Sequence, residues 1–209
     1  MLEAVKTLLQ LRYIKQVFFA FWMLPFAWLI WGAANDALGA NPAEYLIRST
    51  GELTLRLLCV TLAITPLRQA FGLHALAKLR RMSGLLVFFY ACLHMLSYAW
   101  LDMGFEWLDV AKDIVKRPFI LVGFTSFVLL SLLAATSFNQ AVKWLGAKRW
   151  QLLHRAVYAI APLALLHFFW MRAGKQRFTE VWVYGSLLAA LLLWRVWAAR
   201  APRQGKRAS

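Results

Sequence analysis

The sequence predicts an all-α fold: a polytopic membrane helix bundle with six transmembrane helices and both termini cytoplasmic. Three observations carry this. Of 209 residues, 62% are hydrophobic and the mean hydropathy is +0.58, which leaves too little polar surface to cover a soluble globule. The apolar residues gather into six runs, each about long enough to cross a ~30 Å hydrocarbon core as a helix. The basic residues gather in alternate connections between those runs.

The runs lie near residues 17–34, 53–67, 83–101, 119–136, 152–171 and 181–197. The second is short, and is expected to extend back through Leu46 and Ile47 with Arg48 and Arg56 snorkelling to the surface. Pro25 and Pro162 fall inside runs one and five, where kinks are expected. Residues 1–16 read as a cytoplasmic N-terminal segment, 17–198 as the membrane domain and 199–209 as a cytoplasmic tail. The first run leads straight into further apolar runs, so it reads as a retained helix rather than a cleaved signal. The connection at 102–118 carries Phe105, Trp107, Leu108, Val110 and Ile114 among its charges, the pattern of either a surface amphipathic helix or a plain connector.

Most of the 24 Lys and Arg lie in the N-terminus, the 2–3 and 4–5 connections and the tail, against Glu3 as the one acid there. That side is therefore cytoplasmic. Asp36, Glu44, Glu52, Asp102, Glu106, Asp109, Asp113 and Glu180 all fall in the other connections, which face outward, toward the periplasm in a bacterium. A net charge of +15 would suggest nucleic acid in a soluble protein; here it sets orientation, and no nucleic-acid partner is expected. Membrane lipid is the expected surrounding. Cys59 and Cys92 lie inside apolar runs without a metal-binding spacing, so neither an iron–sulfur site nor a disulfide framework is indicated.

The chemistry rests on histidines inside the runs, where an imidazole is expensive unless paired, hydrogen-bonded or bound to metal. His154 and His167 sit near opposite ends of run five, about 20 Å apart along an ideal helix, so one cofactor cannot touch both. His94 lies ~12 Å from the outer end of run three and His167 ~8 Å from that of run five, at a shared level. Two neutral imidazoles on neighbouring helices at one depth are what a bis-histidine b-type haem needs. Phe88, Phe89, Tyr90, Tyr98, Phe168 and Phe169 could wall such a group, or simply be bundle core. The other reading of His94 and His167 is a buried, hydrogen-bonded pair in a proton pathway.

His154 has no histidine at its depth in run three, where Arg80, Arg81, Met82 and Ser83 stand instead. A cofactor there would draw its second ligand from His74, from the Met82 thioether, or from nothing in the protein. Arg80, Arg81, Lys148, Arg149 and Arg155 could neutralise haem propionates or a flavin phosphate, or serve only as positive-inside anchors. The chain has no glycine-rich nucleotide fingerprint and no soluble reductase domain, so NADPH oxidation belongs to another protein, and no substrate-reducing site of its own is expected.

Five stretches are distinctive together: Leu62-Ala63-Ile64-Thr65-Pro66-Leu67, Arg80-Arg81-Met82-Ser83-Gly84-Leu85, Leu93-His94-Met95-Leu96-Ser97-Tyr98, Arg117-Pro118 and Lys148-Arg149-Trp150-Gln151-Leu152-Leu153-His154. In order and spacing the chain resembles the MsrQ (YedZ) family of the ferric-reductase-like transmembrane group, from about Leu24-Pro25 to run six. The resemblance implies a haem b membrane subunit of the periplasmic methionine sulfoxide reductase system, in the bacterial inner membrane. Such a subunit takes electrons from the quinone pool or a cytosolic flavin reductase and binds FMN as well. It passes them to a separate molybdopterin subunit, MsrP, which repairs oxidised methionine in periplasmic proteins. The family's haem ligands map onto His94, His154 and His167, while His74 has no counterpart. Arg80 and Arg81 stand where the wider ferric-reductase pattern has a second inner histidine, which leaves one haem or two. The rivals are an independent ferric-reductase-like cytochrome b and a histidine-relay proton-coupled transporter; against the latter, the runs show no acidic partner at membrane depth.

Overall fold

The chain folds where its apolar runs allow backbone polar groups to be satisfied within single helices, the only solution for a segment that leaves water. The computed structural model describes residues 13–174 and 178–200. Its helices are α1 (Ile14–Ala34), α2 (Pro42–Phe71), α3 (Arg80–Ser97), α4 (Trp107–Lys116), α5 (Pro118–Ala135), α6 (Asn139–His154), α7 (Val157–Ala173) and α8 (Thr179–Arg200). A 3₁₀ turn at His74–Lys78 joins α2 to α3, and a π turn at Tyr98–Asp102 prolongs α3. No strand occurs among the described residues.

Six segments are long and apolar enough to cross a membrane: α1, α2, α3 with its π turn, α5, α6 with α7, and α8. α1 starts at Ile14 and α8 runs to Arg200, so helix occupies residues 14–16 and 199–200 of the predicted terminal segments; residues 1–12 and 201–209, with Lys175 and Arg177, lie outside the described residues. α2 extends back to Pro42, as the short second run required. Asn41 caps it, its side chain accepting the Glu44 amide at 3.1 Å, with Pro42 at the first helical position. α1 and α7 continue through Pro25 and Pro162.

Two expectations need correction. His154 and His167 do not share one regular helix. The chain loosens at Arg155 and Ala156 into i to i+3 bonds, Tyr158 to Arg155 and Ala159 to Ala156, both 2.9 Å, so α6 ends at His154 and α7 starts afresh. Secondly, Glu52 is not in a connection: it sits ten residues into α2, about 15 Å from that helix's start. An acid therefore stands within a span-length helix rather than in a loop.

The connection before His154 is itself helical, broken only at Gly146, whose φ of 72° and ψ of 152° suit a residue without a side chain. The connection at 102–118 resolves to the amphipathic helix α4. Its Val110 and Ile114 pack on Tyr98 and Ala99, with Met95, Met103, Ile120 and Phe124 around them. Arg117 pairs with Asp113, which also accepts the Tyr98 hydroxyl, fastening α4 across that end of the bundle. The densest helix pairings are α2 with α3 and α5 with α7. Between these two pairs lies the site.

Candidate functional site

His94 projects from α3 and His167 from α7, and the tertiary fold brings their rings to a centroid separation of 6.1 Å with planes 72° apart. The ring nitrogen Nδ1 of His94 lies 2.9 Å from the Ile47 carbonyl on α2. Nδ1 of His167 lies 2.7 Å from the Phe119 carbonyl on α5. A carbonyl only accepts, so each Nδ1 carries the proton and donates it, and each Nε2 keeps a free lone pair. Both histidines are half-buried residues.

That arrangement fits a haem. One metal ion bonded to both rings at ~2 Å on each side would hold the ring centres about 6 Å apart. Locking of Nδ1 by a carbonyl is how a protein fixes the tautomer and orientation of a metal-binding imidazole. Among the described residues no three His, Cys, Asp or Glu side chains converge to enclose an ion by themselves. Two imidazoles alone are an axial set, suited to iron whose other positions a porphyrin fills.

The aromatic residues near this level divide. Phe88 stacks on Phe127 at 6.1 Å. Tyr90 is core, its hydroxyl donating to the Trp22 carbonyl of α1, and Tyr98 turns to Asp113. Phe168 meets Tyr184 edge-on at 5.7 Å, and Phe169 pairs with Phe178.

Beside the same level runs a charged cluster that the pattern of runs concealed. Buried Arg172, on α7 beyond His167, pairs with Glu52 of α2 and Glu180 of α8. Glu52 also pairs with Arg56 at 3.1 Å, and Arg56 Nε donates to the Tyr184 hydroxyl at 3.0 Å. The i, i+4 spacing of Glu52 and Arg56 was the available signal.

At the opposite end a cavity of about 460 Å³ is lined by His154, Arg80, Arg81, Arg155, Arg195, Thr61, Trp150 and Tyr158, among others. Trp150 stacks on His154 at 4.0 Å, and the Trp150 indole donates to the Thr136 carbonyl at 2.8 Å. The Thr136 hydroxyl donates to the Leu132 carbonyl at 2.8 Å, so it accepts from His154 Nε2 at 3.2 Å. His154 thus carries its proton on Nε2, the opposite tautomer to His94 and His167. Arg81 is held by the Asn139 side chain at 2.6 Å. Arg149 and His74 are exposed and outside the cavity lining, and Met82 is also outside it, half-buried against the core.

Arg195, within the last apolar run, was overlooked in the sequence although an ionisable residue in such a run is itself a signal. Its guanidinium donates to the Tyr158 hydroxyl at 2.8 Å and reaches the Leu62 carbonyl at 3.4 Å, which Pro66 leaves without its helical donor. Its Nε is buried and has no hydrogen-bond partner among the described residues.

Residues 50–165 match the family described as ferric reductase like transmembrane component. Three relatives are each called protein-methionine-sulfoxide reductase heme-binding subunit MsrQ. The one from Polaromonas naphthalenivorans is 62% identical over 88% of this chain and 84% of its own length. That from Herminiimonas arsenicoxydans is 53% identical over 90% and 87%, and that from Caulobacter vibrioides 45% over 84% and 83%. The chain belongs to the MsrQ family. It is accordingly a multi-pass membrane protein of the ferric-reductase-like group, and the MsrQ region of similarity covers all three span histidines. No solved structure matches the chain.

Proposed function

We propose that the chain is the haem b-carrying electron-transfer subunit of a protein-methionine-sulfoxide reductase system in a bacterial inner membrane. The observation that carries this is the facing of His94 and His167, each with Nδ1 tied to a backbone carbonyl and Nε2 free. The names of the relatives support the same reading.

When bound, the haem supplies one-electron oxidation and reduction at iron. His94 and His167 would hold it through Nε2. The Ile47 and Phe119 carbonyls keep the proton on Nδ1 and make each ring the stronger donor. α4 covers this end, which faces the periplasm, where the molybdopterin subunit MsrP accepts electrons. The His154 end faces the cytoplasm by the positive-inside rule, and there a donor, the quinone pool or a cytosolic flavin reductase, delivers them.

The cavity at that end suits a flat redox-active ring bearing an anionic group, a second haem through its propionates or FMN through its phosphate. Arg80, Arg81 and Arg195 supply the charge, Arg149 adds to it from the neighbouring surface, and His154 with Trp150 supplies a ring-lined wall. His154 coordinates a metal there only by giving up its bond to Thr136 or by using Nδ1.

The test is the visible spectrum, with pyridine-haemochrome quantitation, of purified wild type beside His94→Ala, His154→Ala and His167→Ala. Loss of b-type haem in the His94 and His167 variants is expected. A folded wild type that takes up no haem on reconstitution overturns the reading.

A further inference from the structure

Each imidazole of the facing pair is seated in the same way, on a different helix. A Cβ built on Gly51 of α2 would lie 3.0 Å from Cε1 and 3.1 Å from Nδ1 of His94. One built on Gly123 of α5 would lie 2.8 Å from Nδ1 and 2.9 Å from Cε1 of His167. Carbon atoms do not approach that closely without something moving. In both cases the carbonyl that accepts Nδ1 belongs to the residue four earlier, Ile47 before Gly51 and Phe119 before Gly123. That carbonyl already takes the glycine's own amide in the regular helical ladder, and at Ile47 the Thr50 hydroxyl as well at 3.0 Å, so the imidazole reaches it by lying over the helix surface where the glycine's side chain would stand.

We infer that Gly51 and Gly123 are positioning residues: a glycine notch and the carbonyl one turn before it form a seat that fixes the tautomer and the plane of each haem-binding imidazole. This rests on the haem reading proposed above and deepens it. The seats come one from each of the two dense helix pairs, α2 with α3 and α5 with α7, so ligand geometry is set inside a pair rather than across the cleft between pairs. Neither glycine is needed for its backbone, because both sit in regular helix and neither has a positive φ. In such positions alanine ordinarily favours the helix. The space is needed for the ring.

The experiment compares purified wild type with Gly51→Ala, Gly123→Ala and the control Gly185→Ala, whose added Cβ would meet only Leu165 at 3.7 Å. Haem stoichiometry, the visible spectrum, the midpoint potential and the ferric low-spin EPR signal, whose anisotropy reports the angle between two axial imidazole planes, are read on each. Gly51→Ala and Gly123→Ala are expected to lose the wild-type low-spin signature or shift it, with haem affinity down about 10–100-fold, the usual effect of disturbing a ligand's support. Gly185→Ala should match wild type. If Gly51→Ala fails to accumulate, Gly51→Ala/His94→Ala decides: accumulation equal to His94→Ala alone supports the seat, because the clashing ring is gone, and continued loss overturns it. Gly51→Ala and Gly123→Ala with wild-type haem content, potential and EPR signal overturn the seat while leaving the haem reading intact. A folded wild type that takes up no haem overturns both.

Discussion

The two ends of the bundle treat histidine in opposite ways. At one end two imidazoles face each other, each with Nδ1 donated to a carbonyl and Nε2 free, and α4 lies across the opening. At the other, His154 is alone, stacked on Trp150, with Nε2 donated to Thr136 and a cavity of about 460 Å³ beside it ringed by arginines. In the function proposed above, the first would hold a metal by two bonds and the second a group by charge, shape and stacking. The same residue type would then serve as a ligand or as a wall, and the hydrogen bond on its other nitrogen separates the two.

The sharpest way to break this contrast is to remove one ligand at a time. His94→Ala or His167→Ala should abolish the low-spin b-type spectrum of the paired site, whereas His154→Ala should leave that spectrum in place, as absorption of the purified variants will show. Loss of the same band in all three would mean that the two ends do not act independently.

Arg172 tests what holds the paired end together. Its side chain is 5% exposed and faces two carboxylates, but when Arg172 is removed Glu52 keeps Arg56, and Glu180 is already 51% exposed. Arg172→Leu is expected to cost about 1–3 kcal/mol of stability, less than a fully buried pair, read as a lower melting temperature in detergent. Glu52→Gln should cost less, since Arg172 keeps Glu180.

Arg195 sharpens the contrast from the other side. Arg195→Leu removes the unpartnered Nε beside the cavity, and should weaken the binding of an anionic ring, measured by FMN fluorescence quenching, while the paired-histidine spectrum stays unchanged. A changed spectrum with unchanged FMN binding would reverse the assignment of Arg195.

The smallest effect concerns the cover over the paired end. The Arg117 guanidinium, with the Tyr98 hydroxyl, holds the Asp113 carboxyl below the usual carboxylate range. A depressed folded value means the bond contributes fully above the ordinary value of about 4 and is lost as pH falls through the lower, folded one. Melting temperature should then be insensitive to this pair from pH 7 to 5 and fall only in stronger acid. Asp113→Asn should flatten that acid limb, by about 1 kcal/mol or less because Arg117 is 44% exposed.

Much of this was legible in the residues. The six spans followed from run length, the backward extension of α2 from the shortness of its run, and the shared level of His94 and His167 from counting along ideal helices. The amphipathic α4 was visible as one of two readings. What counting could not supply was anything dependent on two helices at once. Glu52 looked like one of the outer acids although the backward extension of its run already placed it in helix, and its partner Arg172 lies 120 residues away. Arg195 looked like tail charge until the cavity gave it a surrounding. His154 was placed on one rod with His167 because nothing in Arg155 or Ala156 marks a break.

The sequence by itself determined that this chain lives in a membrane, which segments cross it and where along its run each histidine sits, because apolar run length and helical rise act along one dimension. Only the tertiary structure decided which nitrogen of each histidine is free, which glycine makes room for which ring, and which arginine meets which acid. Those are properties of surfaces on different helices, and they exist only once the helices have packed.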